Sequence, residues 1–256
     1  MKNIKKSAGI ILKNNWSSAI IAVIVPCVFM LITTGFELII RRFFYPFYLA
    51  KSREYLILLT SLILSAIFVY PLKIGKKYCF YQNITTRKIE SGDVFYCYSD
   101  LKIFLLSTTT VLVKNAVKII FFLITVSPVL SLLKISFEKN FAAYYQIMIA
   151  LSLAAVLFFN IVLSYSLFLT EYIMIKTHKN PFYSVALSIK KMRKHRCRLL
   201  TFQLKFIPCF LSCIAIFPIL YAAPLYSQSA ALFANGIICG DCPCSPTYPL
   251  VSSADT

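Results

Sequence analysis

The chain has 256 residues, of which 59% are hydrophobic and only 14% charged, with a mean hydropathy of +0.75. A soluble domain carries roughly a quarter charged residues, so that class is excluded. Recurring apolar runs of about twenty residues exclude a β-barrel of short alternating strands. The formal net charge of +18 comes from 27 basic and 9 acidic residues; it would suggest nucleic acid for a soluble protein, but in a membrane protein the position of the charges comes first.

These features predict an all-α membrane protein, a bundle of five transmembrane helices with short cytoplasmic interfacial helices. One integral membrane domain is expected over 1–236 and an irregular Cys-containing tail over 237–256. The first span covers 17–40. Lys2, Lys5, Lys6 and Lys13 precede it like the charged region of a signal peptide, but the run exceeds a signal core and more spans follow. It is therefore read as an uncleaved helix. Glu37 and Arg41 near its end are spaced for an i,i+4 ion pair. The second span covers 55–74. In the loop that follows, IESGDVFYCYSDL, Gly92-Asp93 starts a short interfacial helix with Val94, Phe95, Tyr98 and Leu101 on one face.

The third span covers 103–133, with Ser127-Pro128 placed to kink or end it. Lys114 and Lys118 lie four apart on one face of this helix, beside Asn115. Charges inside a membrane are costly and often functional. The acidic partners available in spans are Glu171 and Glu37. Lys114, Lys118 and Glu171 thus form either a polar site for a transported solute or proton, or a structural set that snorkels and pairs within the bundle. The fourth span covers 143–175 and the fifth 199–221. A short helix over 224–236 follows Pro224, as a sixth span, a re-entrant piece or a surface helix.

Before the fifth span stands KNPFYSVALSIKKMRKHRCRLL. Asn180 suits an N-cap and Pro181 the first helical position. Phe182, Val185, Ala186, Ile189 and Met192 recur at helical spacing, with Lys191, Lys194 and Arg198 opposite. The pattern predicts a helix lying on the cytoplasmic leaflet. Lys190, Lys191, Arg193, Lys194, Arg196 and Arg198 are candidates for contact with anionic lipid headgroups, each contributing roughly 1 kcal/mol near such a surface. A nucleic-acid site would need aromatic platforms or a folded binding domain near the charge, and the sequence has neither. The expected partner is the bilayer, not nucleic acid; protein partners are unspecified.

Loop charges orient the bundle. Segments 1–16, 75–102 and 176–198 together hold 17 Lys or Arg, against six in the alternate loops. The positive-inside rule then puts the N-terminus in the cytoplasm, in a bacterial plasma membrane. Five spans leave the tail outside.

The elements NPFYSVALSIKKM, LLTFQLKFI and AAPLYSQSAALF, with SGDVFYCYSD upstream, resemble in their order a bacterial multi-pass membrane family, domain-of-unknown-function family 975. The likeness runs from Trp16 to Ala234. It departs at Pro128-Val129, Lys194, Cys209 and Pro224-Leu225, where the family carries Pro-Gly, Gly, Trp and Pro-Tyr. The resemblance implies a helical membrane fold and no established activity. Its layout is also similar to membrane domains attached to some glycerophosphodiester phosphodiesterases, which implies a lipid-associated accessory role as one alternative.

Cys239, Cys242 and Cys244 form the one cysteine cluster among nine cysteines. Their spacing could serve zinc or copper(I), but no second Cys pair or nearby His completes the set. Outside the cell, a disulfide is the more natural state. No Walker loop, HExxH, G-x-S-x-G or dinucleotide fingerprint occurs. His178 and His195 have no recognisable partner. No catalytic residue, cofactor or metal site is therefore expected. The leading expectation is a non-enzymatic envelope or interaction component, and the alternative is a small transporter or transporter subunit.

Overall fold

The structure is a computed structural model describing residues 2–43, 50–138, 143–211 and 216–240. All regular structure among these is helical: α1 Lys2–Leu12, α2 Trp16–Phe43, α3 Ala50–Leu64, α4 Tyr70–Thr86, α5 Leu101–Glu138, α6 Ala143–Ser166, α7 Thr170–Thr177, α8 Pro181–Met192, α9 Arg196–Leu204, α10 Ile207–Leu211 and α11 Ile216–Cys239. A wider π turn, Ser65–Val69, joins α3 to α4, and a 3₁₀ helix, Ser91–Tyr98, precedes α5. Contacts group the chain into two units: Met1–Thr108 with Phe202–Thr256, and Thr109–Thr201.

Four stretches are long and apolar enough to cross a membrane: Trp16–Arg42, Ile57–Thr86, Leu101–Lys134 and Tyr144–Thr177. In the last two, only 6% of the most apolar window is buried. Residues such as Ile120, Leu123, Leu151 and Leu157 stand more than half exposed. Apolar surface on that scale needs lipid around it. Among the described residues the regular structure is all helical, and its four long apolar helices are compatible with a membrane-embedded protein.

Several expected boundaries shift. The second span does not stop at 74, because α4 continues to Thr86. Lys73, Lys76 and Lys77 end the apolar run there. The helix persists because Leu72, Ile74, Cys79 and Phe80 are buried, each large apolar side chain contributing about 1.5–3 kcal/mol where water is the alternative. Pro128 does not end α5. The fourth span is interrupted after Ser166 and resumes as α7. No single described helix covers 199–221, and 212–215 lie outside the described residues. The short helix expected over 224–236 is part of the 24-residue α11. Its Ala222, Leu225, Ala230–Ala234 and Ile237 are buried, so it packs within the first unit. It also runs three residues into the expected irregular tail.

In the first unit, α1 was not foreseen. Its Ile4, Ala8 and Leu12 are buried, one helical turn apart, and it packs along α11. The α4 helix ends in Arg87, which takes a left-handed φ of 55°. Asn15 Nδ2 donates to the Arg87 carbonyl at 2.8 Å, tying the start of α2 to the end of α4. Buried amides join α4 to α11: Asn83 Nδ2 donates to Gln228 Oε1 at 3.0 Å, and Gln228 Nε2 donates to the Phe80 carbonyl at 3.3 Å. Phe202 stacks on Phe233 with centroids 5.3 Å apart, and both Phe202 and Phe206 meet Tyr226.

The Gly-acidic-aromatic loop packs tightly against α4. A 3₁₀ helix repeats every three residues, so Val94 and Cys97 share one edge, and both are fully buried. Phe95 and Tyr98 share the next edge and are exposed. This corrects the expected α-helical face of Val94, Phe95, Tyr98 and Leu101. Tyr96 stacks flat on Tyr78, with centroids 3.7 Å apart and planes 4° from parallel. Burial pushes the Cys97 thiol up to about 11, so at neutral pH it is a protonated packing group.

The π turn follows from Pro71. Tyr70 N–H donates five residues back to the Ser65 carbonyl. Pro71 has no N–H to continue either ladder, which frees the Ala66 carbonyl in the five-residue register and the Ile67 carbonyl in the four-residue one. Side chains take both. Thr108 Oγ1 donates to the Ala66 carbonyl at 3.3 Å, and the Tyr98 hydroxyl to the Ile67 carbonyl at 2.8 Å. Such repairs are what broken helices in apolar surroundings require.

Candidate functional site

The polar residues of the second unit gather around the break between α6 and α7. Phe168 N–H bonds to the Tyr165 carbonyl, and Thr170 N–H to the Leu167 carbonyl. The α-helical bond from Thr170 back to Ser166 is therefore not made. The Ser188 hydroxyl of α8 donates to the Ser166 carbonyl instead, at 2.7 Å. Residues Thr170 to Ile175 of α7 are all buried.

Glu171 is among them. Its carboxylate receives a hydrogen bond from Lys114 Nζ of α5 at 2.5 Å, with side-chain exposures of 9% and 15%. The expected set is thus brought together as a pair. Lys118 lies one turn further along α5 and is half-buried. One carboxylate faces two lysines. Deeper in α6, Asn160 Nδ2 donates to its own helix at the Val156 carbonyl and to Thr125 Oγ1 of α5 at 3.3 Å. Sequence reading missed that second link, because a lone Asn and a Thr 35 residues apart carry no pattern.

The basic block is distributed differently from the sequence expectation. Asn180 occupies the N-cap position and its carbonyl accepts from Ser184 N–H at 3.1 Å, but its side chain makes no cap bond. The buried face of α8 is Ser184, Val185, Ser188 and Met192, packed on α6 and α7. Phe182, Ala186 and Ile189, assigned with Val185 and Met192 to one apolar face, form a separate exposed stripe; Phe182 is 73% exposed. The sequence showed one apolar face because the two stripes adjoin. Lys190, Arg193, Lys194 and Arg198 are exposed, while Lys191 and Arg196 are partly buried. Lys179 Nζ sits 4.9 Å from the Tyr183 ring centre.

His195 lies within this block, its Nδ1 buried with no hydrogen-bond partner. Burial, then Arg198 and Lys194, hold its pKa below the ordinary histidine value. The unfolded chain therefore takes a proton more readily than the folded one. Stability from this group is present above about pH 6.5 and is lost as pH falls through the lowered value. Thermal unfolding at pH 7 and pH 5 should show a modest loss that His195→Gln removes.

Among the described residues, no group of three or more His, Cys, Asp or Glu side chains could hold a metal ion. Cys242 and Cys244 lie outside those residues, and Cys239 is an exposed thiol at the end of α11. Comparison of the chain with family models, curated proteins and solved structures finds no match in any of the three.

Proposed function

We propose that this chain is a non-enzymatic integral protein of a bacterial plasma membrane, with its cytoplasmic face docked on anionic lipid through α8 and the basic block. The exposed stripe of Phe182, Ala186 and Ile189 beside Lys190, Arg193 and Lys194 carries this reading. That helix has its third face already packed on α6 and α7, so the remaining two are free to meet acyl chains and headgroups together. The likeness to the uncharacterised membrane family rests on motif order and adds no activity.

Helix lengths support the same level for the buried ion pair. A bilayer core of about 30 Å takes about twenty helical residues. Counted back from the end of α5 at Glu138, twenty residues reach Ile119. Lys118, Lys114 and Glu171 then lie near the cytoplasmic headgroups and not at the midplane. In this arrangement four helices cross. The α11 helix packs on α1, which precedes the first crossing, and on α4 near Asn83. Both favour a cytoplasmic position for α11 and its tail, where the five-span count puts the tail outside. Cys239, Cys242 and Cys244 would then be reduced thiols.

Two measurements test the reading. A membrane-impermeant maleimide should label exposed Cys197 only from the cytoplasmic side, and reporters at residues 90, 190 and 240 should all read inside. A probe on Phe182→Cys should enter anionic nanodiscs. Replacing Lys190, Arg193 and Lys194 by Gln removes about 3 kcal/mol, roughly a hundredfold in docking. A probe that stays in water on anionic lipid ends the docking proposal.

The second reading is a small transporter or transporter subunit. It is supported by the excess positive charge of Lys114 and Lys118 over Glu171.

A further inference from the structure

The turn from α8 into α9 gathers donors that the fold leaves unused. Residues 190–198 hold six Lys or Arg and no carboxylate. Among the described residues, Arg193, Lys194, Arg196 and Arg198 make no ion pair or side-chain hydrogen bond. Two nitrogens of adjacent residues, His195 Nδ1 and Arg196 Nε, are buried with no hydrogen-bond partner. A guanidinium Nε always carries a hydrogen, so Arg196 holds a buried donor without an acceptor, which is costly. Lys194 and Arg198 stand near enough to the His195 ring to disfavour its proton, so both flank the same turn. The Leu199 N–H bonds to the His195 carbonyl at 3.0 Å. The N–H groups of Arg196, Cys197 and Arg198 therefore have no acceptor within α9.

We propose that this turn binds the phosphomonoester headgroup of a membrane lipid, of the phosphatidic acid class, through Lys194, Arg196 and Arg198. The inference rests on the docking of the basic block on anionic lipid and adds a headgroup class to it. A phosphodiester headgroup offers one charge and two free oxygens. A phosphomonoester offers three, and its second proton leaves near pH 6 in water (about 6 for a phosphate ester), more readily still beside three cations. It is the lipid phosphate that can satisfy the most donors at one point. An ethanolamine or choline headgroup would bring a cation against cations. The planar fork of Arg196 matches phosphate oxygens. Leu200, one turn along the same face of α9 from Arg196, is 41% exposed, so an acyl chain has an apolar side chain to lie on. A soluble phosphate would leave that side chain unused, which commits the site to a lipid.

Native mass spectrometry of the full chain, exchanged into defined lipids, tests it. The expected result is one retained phosphatidic acid, preferred about tenfold or more over phosphatidylglycerol and phosphatidylethanolamine. Arg196→Lys keeps the charge but loses the fork and its Nε–H, and should weaken retention about tenfold, with helix content unchanged by circular dichroism. Lys194→Gln/Arg198→Gln alters exposed side chains only and should abolish the preference. Lys179→Gln/Lys190→Gln removes the same charge outside the turn and should keep it. Equal wild-type retention of phosphatidylglycerol overturns the proposal. So does wild-type preference in folded Arg196→Lys or Lys194→Gln/Arg198→Gln. Displacement of the lipid by soluble glycerol 3-phosphate overturns the lipid assignment. The Phe182→Cys probe separates the two readings: entry into phosphatidylglycerol nanodiscs without any phosphatidic acid preference overturns the headgroup class alone.

Discussion

Gly75→Ala should destabilise the first unit by about 3 kcal/mol, the upper range for overpacking. A Cβ at Gly75 would lie 1.8 Å from the Val94 carbonyl oxygen and 2.7 Å from its carbon. Both are backbone atoms, and the 3₁₀ helix that carries them is held elsewhere. Tyr96 stacks on Tyr78, and Tyr98 reaches the Ile67 carbonyl. The loop therefore cannot retreat without breaking those contacts. Thermal unfolding in detergent should fall by several degrees, and the buried thiols Cys79 and Cys97 should become reactive toward maleimide at neutral pH. Gly9→Ala, where a Cβ meets nothing within 4 Å, is the control and should unfold at or above the wild-type temperature. An unchanged Gly75→Ala would mean that the loop does not sit against α4.

Lys114→Leu should cost about 3–5 kcal/mol, because it leaves the Glu171 carboxylate buried without this lysine. Glu171→Gln should cost a comparable amount. Replacing both by Leu should cost much less than the sum, since well-packed apolar groups often substitute for a buried pair at little loss. Lys118→Leu alone should be mild. The same variants separate the two functional readings. If Lys114→Leu/Lys118→Leu accumulates normally but abolishes a solute phenotype, the transporter reading gains. If it lowers accumulation, the lysines are fasteners between α5 and α7.

The membrane class was legible because about twenty apolar residues in a row admit few other interpretations, and four of the five expected spans fall on long apolar helices. The Glu37–Arg41 pair, 3.4 Å apart, was legible because helical spacing is local. The Lys114–Glu171 pair could be posed as an option and no further, since 57 residues separate its members and nothing in the spacing selects a partner. Where helices end was less legible. Hydropathy measures preference for lipid, whereas α4 and α11 persist through protein–protein burial at Phe80, Asn83, Gln228 and Phe233. The 3₁₀ loop was placed correctly and given the wrong face, because its period is three and the pattern was read at 3.6.

The repaired carbonyls beside Pro71 bear on biosynthesis. Their donors are encoded 31 and 42 residues downstream, at Tyr98 and Thr108. At ~5–20 residues per second, a ribosome needs about 2–8 s to supply them. Until then Ala66 and Ile67 present carbonyls that hydrocarbon cannot satisfy, and water must serve. The helical hairpin of α2 and α3 is thus better held at the insertion machinery's wet interior than released early. Release together with the start of α5 would let the membrane receive a finished helix.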